Sequence, residues 1–345
     1  MKTSWLSYKL LLQLIGIIIF VVFILTIDVN SLVSAVTHLD LFIICTVVLF
    51  ILVNLVIKGA RWQYLVKRYS GIHISIGKAT SSIVAGVAAG SLLPGRVEPA
   101  KPMLLKRVYG IPLNEGMSAM MVERIFDLLA LIFLFAVSAA LLFSQLTSSA
   151  ITYISLVLLI AVLTAFMLAF LIFPMAYCRL ALALVKRLPL KPVRKANLEI
   201  VVQGFFGSVK KVHSSRAITA IFLLSVAATL MEVVRLYFIF QSLGSETWFV
   251  LLTFALCAGV LAGIAALIPG GIGINEITES EIIDSFSNSA SQSGNSSIAV
   301  LIDRLFAYYF LVLIGSIVLL FSRKIYAPIS LPPNSEEKNR RVDSK

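Results

Sequence analysis

The 345 residues are 59% hydrophobic and only 13% charged, far outside the composition of a soluble globular chain. A formal net charge of +12 invites a nucleic-acid reading. The basic residues fall in blocks between apolar segments, however, as loops beside anionic headgroups do, and that argues against DNA or RNA as a partner.

In chain order, the first apolar segment covers about residues 10–27, behind Lys2 and Lys9. Its apolar core is longer than that of a signal peptide, so it is read as a retained helix. Further full spans are predicted at 39–57, 117–144, 150–173, 217–240 and 298–322, each close to the roughly 20 residues that cross a bilayer core. The run at 79–93 has 15 residues, about 22 Å as a helix, which is too short to cross. Basic residues flank it on both sides, so it is expected to dip in from the cytoplasmic face and return. The run at 248–268 could cross alone, but the last helix would then leave the basic tail outside. A second re-entrant hairpin is therefore predicted, entering from the outer face and returning through 277–286. Residues 285–297 read as a Ser/Asn-rich outer loop and 326–345 as a disordered cytoplasmic tail. The expected fold is all-α and polytopic, about six full spans plus two re-entrant Pro-Gly hairpins.

Lys and Arg number two before the first span, nine within 58–116, nine within 174–216 and six after 322. The connections around 28–38, 145–149, 241–247 and 269–297 carry none. By the positive-inside rule the basic blocks and both termini face the cytoplasm of a cell membrane. The cysteines, Cys45, Cys178 and Cys257, are scattered, and no disulfide framework or zinc spacing can be built from them.

The chain also repeats itself. Pro94-Gly95-Arg96-Val97-Glu98 in the first half is matched by Pro269-Gly270-Gly271-Ile272-Gly273, followed by Glu276, in the second. Each follows a small-residue pair, Gly86/Gly90 or Gly259/Gly263. Arg61 precedes its Pro-Gly by 33 residues and Arg235 by 34, while Glu123-Arg124-x-x-Asp127 and Asp303-Arg304 follow inside apolar helices. Three anchors in one order predict an inverted pseudo-repeat, about 39–144 and 217–322. Corresponding interrupted segments in two halves point to a substrate site.

Charges within apolar segments are functional candidates by default. Arg61, Arg96, Glu98, Glu123, Arg124 and Asp127 are placed toward the cytoplasmic side. Arg235, Glu276, Asp303 and Arg304, with Glu232, are placed toward the outer side. The spacings suggest Glu232 with Arg235 as a helical pair and Asp303 beside Arg304. Arg forks suit a phosphate, and carboxylates suit an amine or orient the forks. Two half-sites on opposite faces suit a lipid headgroup that moves between leaflets. No P-loop, HExxH or GxSxG motif is present, and His38, His73 and His213 stand apart. No enzyme, cofactor or metal site is therefore expected.

Arg61-Trp62, Pro94-Gly95-Arg96-Val97-Glu98, Glu123-Arg124-x-x-Asp127 and Pro269-Gly270-Gly271-Ile272-Gly273-x-x-Glu276 together resemble the lysylphosphatidylglycerol synthase transmembrane (flippase-like) family over roughly residues 10–325. In two-domain members, the resemblance implies, such a membrane unit moves aminoacylated phospholipid to the outer leaflet and a soluble domain makes it. These residues hold no counterpart of that soluble domain, so aminoacyl transfer is not carried over. Pro99 after Glu98, and Lys101, Lys106 and Arg107 beyond it, depart from the pattern and bear on headgroup choice. The expected function is translocation of an anionic phospholipid or a polyprenyl-phosphate-type lipid. The alternatives are a membrane-embedded lipid transferase using Glu98 or Glu123 as base, and a non-catalytic partner of a separate glycosyl- or aminoacyl-transferase.

Overall fold

The computed structural model describes residues 40–91, 98–142, 173–187, 192–209, 214–245, 247–286 and 293–321, with isolated positions within 18–37 and 162–169. The spans expected at 10–27 and 150–173 therefore lie mostly outside the described residues, as does the first Pro-Gly tip with Pro94, Gly95 and Arg96. Every regular element among the described residues is helical.

Helix α1 (Leu41–Ser70) is followed by α2 (Ile76–Gly90), α3 (Ala100–Tyr109) and α4 (Leu113–Leu142). Two basic helices come next, α5 (Pro174–Arg187) and α6 (Pro192–Val209). The second half contains α7 (Ser215–Ser242), α8 (Phe249–Ala265), a 3₁₀ turn at Pro269–Gly271 and α9 (Ile274–Phe286). The last crossing is built from α10 (Ser293–Arg304), a π-helical turn (Leu305–Tyr309) and α11 (Phe310–Leu320).

Four helices are long and apolar enough to cross a bilayer: Leu41–Ser70, Leu113–Leu142, Arg216–Ser242 and Ser296–Leu320. They coincide with four of the expected spans, but α1 runs 13 residues beyond the expected end at 57, to Ser70. Nothing between 58 and 70 breaks a helix, and the stop comes at Gly71, whose φ of 72° closes the C-terminus on the Lys67 carbonyl. Arg61 and Trp62 thus belong to the helix, beyond the expected end of the span.

The halves interlock. α1 packs on α7, α4 on α8, and α2 on α11. One core cluster joins Trp62, Phe126, Leu236, Leu256 and Val300, drawn from five helices. Phe135 of α4 stacks on Phe254 of α8 with ring centres 4.8 Å apart. On the outer side α1 exposes Leu41, Phe42, Leu49, Leu52 and Val56, the apolar periphery that a hydrocarbon solvent requires.

α8 and α9 fold against each other across the Pro269–Gly271 turn. Gly270 takes φ 68° there, a left-handed conformation that other residues resist. The small residues ahead of the turn give α8 a notched face. A Cβ at Gly259 would lie 2.6 Å from Cγ of Glu279, and one at Gly263 would lie 3.0 Å from the Gly271 backbone and closer still to Asn275. In the first half, a Cβ at Gly86 would meet Glu98 Oε2 at 2.9 Å. In both halves, then, glycine makes room for a polar side chain at the bundle centre.

Candidate functional site

The charges that the sequence scatters along the chain meet in two clusters. In the first, Arg61 is 1% exposed. Its Nη2 donates to Glu123 Oε1 at 2.8 Å, and its Nη1 donates to Asp127 and to Ser225 Oγ of α7. Glu123 and Asp127 stand one turn apart on α4, so one guanidinium reaches both. Helix α3 adds Lys101, fully buried, with Nζ 2.6 Å from Glu98 Oε2 and 2.8 Å from Glu123 Oε2. The same ammonium lies 5.1 Å from the Trp62 ring centre, within cation–π range. Arg124 Nη2 donates to Glu98 Oε1 at 2.9 Å, and its Nη1 is 3.4 Å from Asp127 Oδ2. Three cations face three carboxylates, which is what lets charges lie this deep: a buried charge is tolerated only when paired and hydrogen-bonded.

In the second cluster Arg235 grips Asp303 with both prongs, Nε to Oδ1 at 2.7 Å and Nη2 to Oδ2 at 3.0 Å. Arg304 Nε donates to Glu276 Oε1 at 2.7 Å, and its Nη2 is 3.4 Å from the Gly270 carbonyl. Glu276 Oε2 in turn accepts the Gly273 N–H at 2.7 Å, which pins the hairpin tip to the start of α9. The π-helical turn brings Tyr308 beneath Arg304, the guanidinium carbon 5.0 Å from the ring centre. Between the clusters, Lys58 of α1 donates to Glu232 of α7 at 2.6 Å, and Asn54 Nδ2 donates to the Ala228 carbonyl at 2.5 Å.

Other helices supply partners that spacing along a single helix does not reveal: Lys58 for Glu232, Arg235 for Asp303 and Glu276 for Arg304. Residues adjacent in a helix point about 100° apart, so neighbours in sequence favour partners on other helices. The two expected half-sites meet at one space. Both open on one cavity of about 220 Å³ at the centre of the bundle, walled by α1, α2, α4, α7, α8 and the last crossing. Six basic and six acidic side chains line it, with Ile83, Val87, Leu131, Val260 and Leu311 as the apolar wall.

Arg61, Glu98, Glu123, Arg124, Asp127, Arg235, Asp303 and Arg304 all line this cavity, and Glu276 stands directly behind Arg304. The chain thus brings together every expected site residue except Arg96, which lies outside the described residues. Several members were not singled out as site residues: Asn54, Lys58, Lys101 and Glu279. Lys101 and Glu279 each follow a chosen glutamate by three, Glu98 and Glu276, and that helical spacing was a readable signal. Asn275, fully buried in the notch beside Gly263, had no such signal. Among the described residues no three His, Cys, Asp or Glu side chains are grouped as a metal site.

The model of the family described as the lysylphosphatidylglycerol synthase transmembrane region matches residues 13–321. A UPF0104 membrane protein of Methanothermobacter thermautotrophicus is 26% identical over 303 residues, covering 84% of this chain and 86% of its own. A UPF0104 membrane protein of Pyrococcus horikoshii is 22% identical over 337 residues, covering 92% and 98%.

Proposed function

Since the chain belongs to the family of the lysylphosphatidylglycerol synthase transmembrane region, we propose that it is a lipid translocase whose central cavity receives the headgroup. The observation that carries this reading is the cavity itself: one space, charged on two sides, inside a bundle whose periphery is apolar. Its volume of about 220 Å³ is below the roughly 300–1,000 Å³ of pockets that enclose a drug-sized ligand. It has room for a polar headgroup while acyl chains remain in hydrocarbon. Two Pro-Gly hairpins entering from opposite faces, in an inverted repeat, would let the first cluster meet a headgroup from one leaflet and the second from the other. Both termini then lie in the cytoplasm of a cell membrane, and the basic helices α5 and α6 rest near anionic headgroups.

A transferase reading has no comparable support, because Glu98 and Glu123 are both committed to Lys101 and to arginines. A scaffold for a separate transferase would not need a charged interior. The test is reconstitution of the purified full chain into liposomes that carry a fluorescent anionic phospholipid in both leaflets. Protein-dependent loss of the protected, inner-leaflet signal to an outside quencher is expected. Quenching that stops at the outer-leaflet fraction for every anionic phospholipid and polyprenyl phosphate tried would overturn the proposal.

A further inference from the structure

The two clusters use their arginines differently. In the second, both Nε–H donors are committed, Arg235 Nε to Asp303 and Arg304 Nε to Glu276, each at 2.7 Å. In the first, Arg61 and Arg124 bond only through Nη1 and Nη2. The Nε atoms of both are buried and have no acceptor among the described residues. Arg61 and Arg124 both line the cavity. A buried cationic N–H without an acceptor is costly, and native interiors retain such a group mainly where a ligand, ion or water completes it. Two such donors on neighbouring guanidinium groups in one cluster, and none in the other, distinguish the clusters chemically although their compositions are alike.

We infer that the first cluster is an oxyanion site, in which the Nε–H groups of Arg61 and Arg124 take oxygens of a phosphate. The second cluster is a closed clamp that holds the hairpin tip and binds no anion. This inference rests on the reading of the cavity as the headgroup's place and makes it one-sided: the phosphate has a single station, beside α1 and α4. The balance of six basic and six acidic lining residues supports it. With the other guanidinium edges already paired, an anion bonds where donors are left over instead of displacing a carboxylate. Phosphate oxygens suit these donors because they accept charge-assisted N–H bonds readily.

The test measures binding separately from movement. Purified full-length protein in detergent is titrated with a short-chain phosphatidylglycerol and, in a second arm, with inorganic phosphate, following heat or thermal shift. Arg124→Lys, at a side chain 25% exposed, keeps the charge but has no Nε–H. It should weaken binding of the short-chain lipid at least tenfold, and Arg61→Lys should do the same. Arg235→Lys and Arg304→Lys should change it less than threefold. Parallel loss of inorganic phosphate binding in Arg124→Lys identifies the ligand as any phosphate oxyanion. Loss confined to the lipid identifies a phosphodiester headgroup. Either result supports the site. No saturable binding of either probe to the wild type would overturn it, as would equal weakening by Arg124→Lys and Arg304→Lys. Leaflet exchange that persists without this binding pattern would sink the oxyanion site and leave the translocase standing. Binding as described, with no exchange, would do the reverse.

Discussion

Arg235 and Asp303 form a two-pronged ion pair in the molecule's interior, and they show how charge is tolerated there. Both are almost fully buried, and the two-pronged grip satisfies both carboxylate oxygens. Removing one partner leaves the other buried and charged without its counterion, a loss of about 3–5 kcal/mol. Arg235→Ala is therefore expected to unfold well below the wild type in a detergent melt. Arg235→Met combined with Asp303→Leu should recover most of the difference, because a well-packed apolar pair often replaces a buried ion pair without penalty. Lys58 and Glu232 offer the contrast: their side chains are 29% and 26% exposed. A pair open to the cavity in this way loses less on separation than one fully enclosed, so Lys58→Met should melt closer to the wild type than Arg235→Ala does. If Lys58→Met were as damaging as Arg235→Ala, this pairing scheme would be wrong.

At the scale of elements, the packing depends on helices that approach too closely for ordinary side chains. Gly263 of α8 leaves the notch that Asn275 of α9 fills, so the hairpin is a fitted pair and not two helices joined by a loop. Gly263→Ala should destabilise by about 1–3 kcal/mol through overpacking. Asn275→Ala, which empties the notch, should relieve part of that cost. A double-mutant cycle is expected to return a coupling of about 0.5–3 kcal/mol, as for residues in direct contact, whereas strict additivity would place the two side chains apart. These close contacts explain which parts of the architecture could be read in advance. Long apolar runs identify α1, α4, α7 and the last crossing, because hydrocarbon imposes length and composition together. The Pro-Gly turn and its preceding glycines were legible for the same reason, since backbone conformation restricts which residues can stand there. Partners from other helices were not legible. Spacing suggested Glu232 with Arg235, whose charges do interact, but it gave no sign of Lys58 for Glu232, Arg235 for Asp303 or Glu276 for Arg304. The π-helical turn at Leu305–Tyr309 was equally hidden, as no residue type marks it. Such turns recur at functional sites, and this one brings Tyr308 to Arg304.

Over the whole molecule, the interlocking of the halves restricts how the cavity could be reached from either side. α1 packs on α7, α4 on α8 and α2 on α11, so the two halves share one core cluster that encloses the cavity. Orientation is then decisive, because the oxyanion cluster and the clamp are not equivalent. The distribution of Lys and Arg predicts an orientation through the positive-inside rule. The segment around 186–195 is strongly basic, and the segment 288–295 carries no charge at all. Cysteine labelling decides the matter. After replacement of Cys45, Cys178 and Cys257, single cysteines at Ser289 and at Lys186 are treated on intact cells with a membrane-impermeant maleimide. Ser289→Cys is expected to react from outside, and Lys186→Cys only after the membrane is opened. That outcome puts 288–295 outside and the basic α5–α6 connection inside, and it places the last crossing with its tail toward the cytoplasm. Reaction of both positions from the same side would remove the opposed hairpins, and with them the route by which a headgroup could reach one cavity from both leaflets.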